Sequence, residues 1–216
     1  MIIAIAHNKG GVGKTTLALN LAATLKPDII IDQDTHQNLV ILNGFRDQPM
    51  PVVLCHNKQT LIKNLQKSDN GKTILIDCGG FDSDINRIAI ASADLIIVPA
   101  NDDINELIGL RRFDHVLTEL SKEMNTHIAA RVLFNRTHPN RKRFEEAEQF
   151  LENAKHLSRL NCVISRRKEY PIAAAKGYGV TELTTTKYSD AARETQQLTL
   201  EIERIMDTNK EAIRSA

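Results

Sequence analysis

The sequence has no tryptophan, six phenylalanines, three tyrosines and only three cysteines in 216 residues. Cys55, Cys78 and Cys162 stand far apart with no C-x-x-C pair, which leaves no metal-binding signature and fits a reducing cytoplasm. An iron–sulfur reductase would need paired cysteines, and Cys78 has no evident companion. No apolar stretch approaches the roughly 20 residues that span a bilayer. The opening Met1–His7 run is apolar but lacks a basic leader and passes at once into glycine-rich turn chemistry, so it reads as a first strand and not a signal peptide. Excess charge of one sign is missing too. Lys and Arg total 28 against 27 Asp and Glu, a net charge of +1, so no global field draws the chain to nucleic acid or membrane, and any such binding has to come from a local patch. Repeats, low-complexity runs and Gly-, Ser- or Pro-rich linkers are absent. What remains is ordinary globular composition, 42% hydrophobic and 25% charged, at a length that suits one sizeable domain.

Apolar runs alternate with segments of helical spacing. The expected strands are Ile2–Ala6, Asp28–Asp32, Val52–Cys55, Thr73–Asp77, Leu95–Pro99, Ile128–Asn135 and Asn161–Ile164. The expected helices are Thr15–Leu25, Gln59–Gln66, Ile85–Ala91, Asn105–Leu120 and Arg141–Ala154, followed by a terminal helix from Ser189 to about Ile213. Short unbroken runs such as Ile74-Leu75-Ile76 suit a parallel sheet covered on both faces. The alternation predicts a single α/β domain over residues 1–216, with a doubly wound, mostly parallel sheet.

The chemistry concentrates after the first strand, in Asn8-Lys9-Gly10-Gly11-Val12-Gly13-Lys14-Thr15-Thr16. The phosphate-loop pattern G-x-x-x-x-G-K-[ST] fails only at its first glycine, where Asn8 stands, and asparagine tolerates a left-handed backbone better than most residues. Glycines at 10, 11 and 13 let backbone N–H groups turn toward phosphate oxygens, and the helix opening near Lys14 adds its positive end. Lys14 is expected on the β- and γ-phosphates, the Thr15 hydroxyl on Mg²⁺, and Thr16 near the α-phosphate. Two further strands end in acids: Asp32-Gln33-Asp34, and Asp77-Cys78-Gly79-Gly80. In a parallel sheet both ends open on the side of the phosphate loop. Asp77 is placed to hold Mg²⁺ through a water and Asp34 to orient an attacking water, while Gly79 and Gly80 would let a switch loop move. The plainer reading is that these carboxylates cap loops.

These residues name a family. Lys9-Gly10-Gly11-Val12-Gly13-Lys14-Thr15-Thr16 resembles the deviant Walker A motif of the ParA/MinD ATPases, marked by the additional lysine that Lys9 matches. Asp32-x-Asp34 with Asn38 resembles the family's D-x-D-P-Q-x-N switch motif, with Thr35 and His36 in place of Pro and Gln. Ile74–Asp77 is similar to its Walker B strand, and Ala93–Pro99 to its next strand. Ile164–Glu182 looks like the matching stretch of small ParF-like partition ATPases, and the helix-turn-helix domain of larger ParA proteins has no counterpart before Ile2. The resemblance implies ATP and Mg²⁺ as ligands, with Lys9, Lys14 and Asp34 catalytic. It puts Thr15, Asp34 and Asp77 at the metal, and Lys9 through Thr16 at the nucleotide. It makes Asn135 the adenine-recognising residue, against the alternative that Asn135 caps a turn. It also implies an ATP-dependent homodimer in which Lys9 reaches the partner's phosphates, non-specific DNA binding, and a separate ParB-like centromere-binding partner that stimulates slow hydrolysis.

Two basic clusters offer places for DNA: Arg136, Arg141, Lys142 and Arg143, and Arg166, Arg167 and Lys168. Both also fit solvated faces, and Glu145, Glu146 and Glu148 dilute the first. The terminal segment lacks the basic face and bulky anchors of a membrane-surface helix, so no membrane is expected, and the chain is placed in the cytoplasm on the nucleoid. The leading function is a switch for plasmid or chromosome segregation. The alternatives are the same engine positioning a protein cargo over the nucleoid, and a metabolic P-loop ligase.

Overall fold

A computed structural model describes residues 1–55, 57–141 and 143–214, with the backbone alone for residues 210 and 212–214. Seven strands form one sheet in the order β3-β2-β4-β1-β5-β6-β7. They are β1 (Ile2–Ile5), β2 (Ile29–Asp32), β3 (Val52–Leu54), β4 (Ile74–Asp77), β5 (Leu95–Ala100), β6 (Ala130–Thr137) and β7 (Leu157–Ser165). Every pairing is parallel. The helices are α1 (Lys14–Leu25), α2 (Asn38–Asn43), α3 (Lys58–Leu65), α4 (Asp84–Ala91), α5 (Ile104–Glu123), α6 (Glu145–Asn153), α7 (Glu169–Ala174) and α8 (Asp190–Arg214).

The strands' unbroken apolar runs split by the period-two alternation of strand side chains into two cores. On one face Ala4, Ile76, Ile96, Val98 and Phe134 pack against Leu61 of α3, Ile90 of α4, the Leu110–Phe113–Leu117 stripe of α5 and Leu151 of α6. On the other, Ile3, Ile5, Leu75, Ile97 and Leu133 meet Leu17 and Leu21 of α1, Leu39 of α2, Tyr170 of α7, and Leu198 and Ile202 of α8. The doubly wound expectation holds, and the sheet is wholly parallel.

Some boundaries differ from the sequence reading. Helix α6 starts at Glu145 and not Arg141, because Phe144 leaves helical geometry (φ −132°, ψ 47°) to bury its ring against Phe134, centroids 4.4 Å apart. Strand β7 begins four residues early, at Leu157, where it meets Ala130. Helices α2 and α7 were not foreseen; each has only six residues, too short for a periodic stripe. The terminal helix begins at Asp190, as expected to within a residue. Among the described residues no helix is long and apolar enough to cross a membrane.

Candidate nucleotide site

The parallel sheet brings the carboxyl ends of β1, β2, β4, β6 and β7 to one edge, where ligands bind in open α/β sheets. The loop after β1 carries the phosphate-loop residues into α1, with Gly11 and Gly13 at φ +79° and +96°, in left-handed backbone that their lack of Cβ permits. The register sets Asp77 beside both Asp32 and Ile5, so one acidic strand end adjoins this loop and a second lies one strand beyond it.

A cavity of ≈ 680 Å³ opens here, in the size range of small-molecule sites. Gly10, Gly11, Gly13, Lys14, Thr15 and Thr16 line it, with Asp34 from the loop after β2, Asn38 at the start of α2, Gly80 from the loop after β4, and Asn135. Lys14 is buried, and its Nζ donates to Lys9 O at 2.9 Å. Burial lowers its pKa, with Asp77 and Asp34 opposing that shift. A Cβ on Gly80 would stand 3.4 Å from Lys14 Nζ and 3.5 Å from Gly10 Cα, so the loop after β4 closes directly over the phosphate loop.

Asp77 is fully buried, and no donor meets ordinary hydrogen-bond geometry at either carboxylate oxygen, the weaker pull of the Thr15 hydroxyl aside. Burial pushes its pKa up to about 7; the nearby Thr15 hydroxyl and Lys14 oppose the shift, and Asp32 and Asp34 add to it. A buried carboxylate without a partner is costly unless a cation or its hydration shell completes it. Those orphaned oxygens next to Thr15 fit Mg²⁺ held as in phosphoryl-transfer sites. Asp32 is buried differently. Its Oδ1 accepts from Asp34 N at 3.0 Å and its Oδ2 from Val40 N at 3.1 Å, so both oxygens are used to shape the loop that carries Asp34. Asp34 itself is half-buried, and its Oδ1 accepts from His36 N at 3.0 Å.

Lys9 does not line the cavity; its Nζ is paired with the buried Glu106 on the first turn of α5. The Glu106 Oε2 has no partner. Beneath the loop lies His7, 1% exposed, whose Nδ1 accepts from Lys9 N at 3.1 Å. The proton therefore sits on Nε2, which finds no acceptor. Burial, then the charges of Lys14 and Lys9, lower the His7 pKa to about 3, so the ring is neutral. Neither His7 nor Glu106 was marked by the sequence; both become visible only once α5 packs on the loop.

Asn135 stands at the end of β6, its Nδ2 donating to Val12 O at 2.8 Å. The far end of the cavity is built by residues sequence reasoning did not single out: Ser165, Tyr170, Pro171, Thr195 and Leu198. They come from β7, α7 and α8, and no short motif announces them. Of the basic residues, Arg136, Arg166 and Arg167 line the cavity. Arg167 is held by Glu194 (Nε 3.0 Å, Nη2 2.8 Å) and Asp190 (3.1 Å). Lys168 is exposed at the entry to α7. Arg141 pairs with Asp102 at 2.5 Å, while the exposed Arg143 is 3.8 Å from Glu145. Lys142 lies outside the described residues. Both clusters lie at strand ends, Arg136 within the last residues of β6 and the rest after β6 and β7, on the same edge as the cavity.

A wholly parallel sheet with a glycine-rich phosphate loop, a helix opening at Lys14 and a buried acid at the end of the adjacent strand defines a P-loop nucleoside-triphosphatase fold. A model of the CobQ/CobB/MinD/ParA nucleotide-binding domain matches residues 3–180, and the chain belongs to that family, of ParA/MinD type. It is 25% identical over 146 residues to Protein ParA of Rhizobium radiobacter, a match covering 64% of this chain and 65% of that protein's length. Its fold is shared with apo McdA of Cyanothece, at TM-score 0.72 and 18% identity over 93% of this chain and 98% of the other. It is shared likewise with the septum site-determining protein MinD of Pyrococcus horikoshii, solved with Mg-ADP, at TM-score 0.69 and 18% identity over 96% and 98%.

Proposed function

We propose that the chain is an ATP-dependent switch for DNA segregation, which binds Mg–ATP, dimerises across its phosphate loops, coats DNA without reading sequence, and releases it when a partner stimulates hydrolysis. The observation that carries this reading is the conjunction around one phosphate loop of a buried Lys14 that lines the cavity, a fully buried Asp77 at the end of the adjacent strand, and a second lysine, Lys9, that is paired with Glu106 and does not line the cavity.

In this reading Lys14 leaves Lys9 O for the β- and γ-phosphates, and the N–H groups of Gly10 through Thr16 surround them. Bound Mg²⁺ neutralises charge on the β- and γ-oxygens. Thr15 and Asp77 would hold it, and Asp34 would orient the attacking water from its loop pinned by Asp32. Asn135 borders the base, with Tyr170 and Leu198 supplying apolar surface. Lys9 leaves Glu106 and reaches the phosphates bound by a second copy. Hydrolysis by one subunit is slow because its site lacks that lysine. Arg141, Arg143, Arg166, Arg167 and Lys168 are the residues proposed to meet DNA phosphates from the cavity edge, with Arg166 and Lys168 the most available. A small centromere-binding protein of ParB type is the proposed partner, and the nucleoid the proposed location.

ATP turnover measured alone, with non-specific DNA, and with the product of the neighbouring gene tests this directly. Slow basal turnover that rises several-fold with both additions is expected. Brisk turnover by the isolated protein, unaffected by either, contradicts the switch.

A further inference from the structure

Strand β6 does not end regularly. Asn135 pairs with Ile164 and Thr137 with Ser165, so Arg136 is an extra residue, a bulge. Its φ of +58° is left-handed, a conformation that an L side chain adopts unfavourably. Bulges and strained backbone of this kind concentrate where a side chain has been re-aimed for a task. Here the re-aimed guanidinium donates to Gly11 O in the phosphate loop. The neighbouring Asn135 donates to Val12 O. The end of one strand thus holds two successive carbonyls of the loop. The approach is close: a Cβ on Gly13 would clash with Asn135 Nδ2 at 2.6 Å and stand in ordinary contact with Arg136 Cδ at 3.5 Å, so the Asn135 contact requires glycine at 13.

A trans peptide points its C=O and the following N–H in opposite directions. Holding Gly11 O and Val12 O on the β6 side therefore turns the N–H groups of Val12 and Gly13 away from β6. We infer that Arg136 is a positioning residue for the nucleotide: with Asn135 it sets the peptide planes of the phosphate loop, so that Val12 and Gly13 present their N–H groups to the phosphates before any nucleotide arrives. Arginine suits this because it is charged at every accessible pH and its fork keeps donors to spare beyond the one on Gly11. Arg136 also lines the cavity on one side of the loop and a ≈ 130 Å³ cleft, shared with Glu106 and Arg166, on the other. The inference rests on the nucleotide-binding reading above and adds a residue to it.

The test is the affinity of monomeric protein for a fluorescent ADP analogue, with thermal unfolding run alongside. Arg136→Gly removes the guanidinium but suits the left-handed backbone, so folding is preserved or improved while ADP affinity falls about tenfold, as expected for one lost charge-assisted hydrogen bond. Added guanidinium chloride at low millimolar concentration should restore part of that affinity, and Arg136→Lys should retain more of it than Arg136→Gly. Wild-type binding with undiminished Arg136→Gly binding overturns the inference alone. A loss of affinity that tracks a fall in melting temperature, with no rescue by guanidinium, overturns it as well by reducing Arg136 to a structural role. Wild-type protein that failed to bind the analogue would overturn the nucleotide reading, and the inference with it.

Discussion

At the scale of single residues the site is a set of buried polar groups whose needs are met unequally. Asp32 has both oxygens satisfied, and Asp77, alongside it in the sheet, has neither. That contrast separates the two acids: the first shapes a loop, and the second is the proposed holder of a cation. His7 sits below them as a neutral ring kept so by burial and by two lysines. Its folded pKa, about 3, lies below the ordinary 6.5. Between those values the unfolded chain takes up a proton that the folded chain refuses. The stability His7 contributes is therefore complete above about pH 6.5 and is lost as pH falls toward 3, with a slope of up to about 1.4 kcal/mol per pH unit. Chemical denaturation of wild type and His7→Gln across pH 4–7 should show a shallower acid loss in the variant. Parallel curves for the two proteins would show that His7 does not titrate in this way.

Elements explain what the sequence could and could not reveal. Strands β1, β2, β4 and β5 are central or doubly covered, and their unbroken Ile, Leu and Val runs are unambiguous. Strand β7 lies at the edge, where Ser158, Arg159 and Asn161 interrupt the apolar pattern, so only its second half was legible. Helix α2 escaped notice because it is one and a half turns long and is entered through Gln37 in left-handed backbone (φ 53°). The phosphate loop, Asp34 and Asp77 could be read because their chemistry demands fixed spacings within a few residues. The far end of the cavity could not, because Tyr170, Thr195 and Leu198 are assembled by tertiary packing of helices whose periodicity speaks only of burial. Arg167 looked like a DNA contact in the sequence, and folding surrounds it with Glu194 and Asp190 from α8.

Helix α2 is also tied down from outside the site. Arg46, just beyond it, makes a two-pronged pair with Glu182 (2.6 and 3.0 Å), donates to Gly177 O and lies 4.4 Å over the Tyr178 ring. Gly177 holds φ +76°, and a Cβ there would fall 2.2 Å from Leu42 O in α2. Gly177→Ala should therefore destabilise the protein by about 2–4 kcal/mol, through backbone strain and displacement of α2. Urea denaturation measures it, and a change under about 0.5 kcal/mol, the scale of an ordinary surface substitution, would deny that this segment braces the helix.

Over the whole molecule, one edge of a single parallel sheet carries the nucleotide cavity, the loop bearing Asp34 and both basic clusters, so a nucleotide-driven change there has a short path to any DNA-facing surface. The two lysines of the phosphate loop are both satisfied internally, Lys14 on Lys9 O and Lys9 on Glu106. In the proposed switch, ATP gives Lys14 a better partner within the chain and gives Lys9 one in a second copy. The family expected from Lys9 and its glycines is the family to which the chain belongs. The dimer is the proposal that gives Lys9 its task. The most direct measurement is the mass in solution, by light scattering, of Asp34→Ala protein with ADP or with ATP and Mg²⁺, and of the same protein also carrying Lys9→Ala. Asp34→Ala protein should be monomeric with ADP and dimeric with ATP. The double variant should be monomeric throughout and should still bind a fluorescent ATP analogue. Dimers of the double variant that match those of Asp34→Ala would contradict the role of Lys9 in trans.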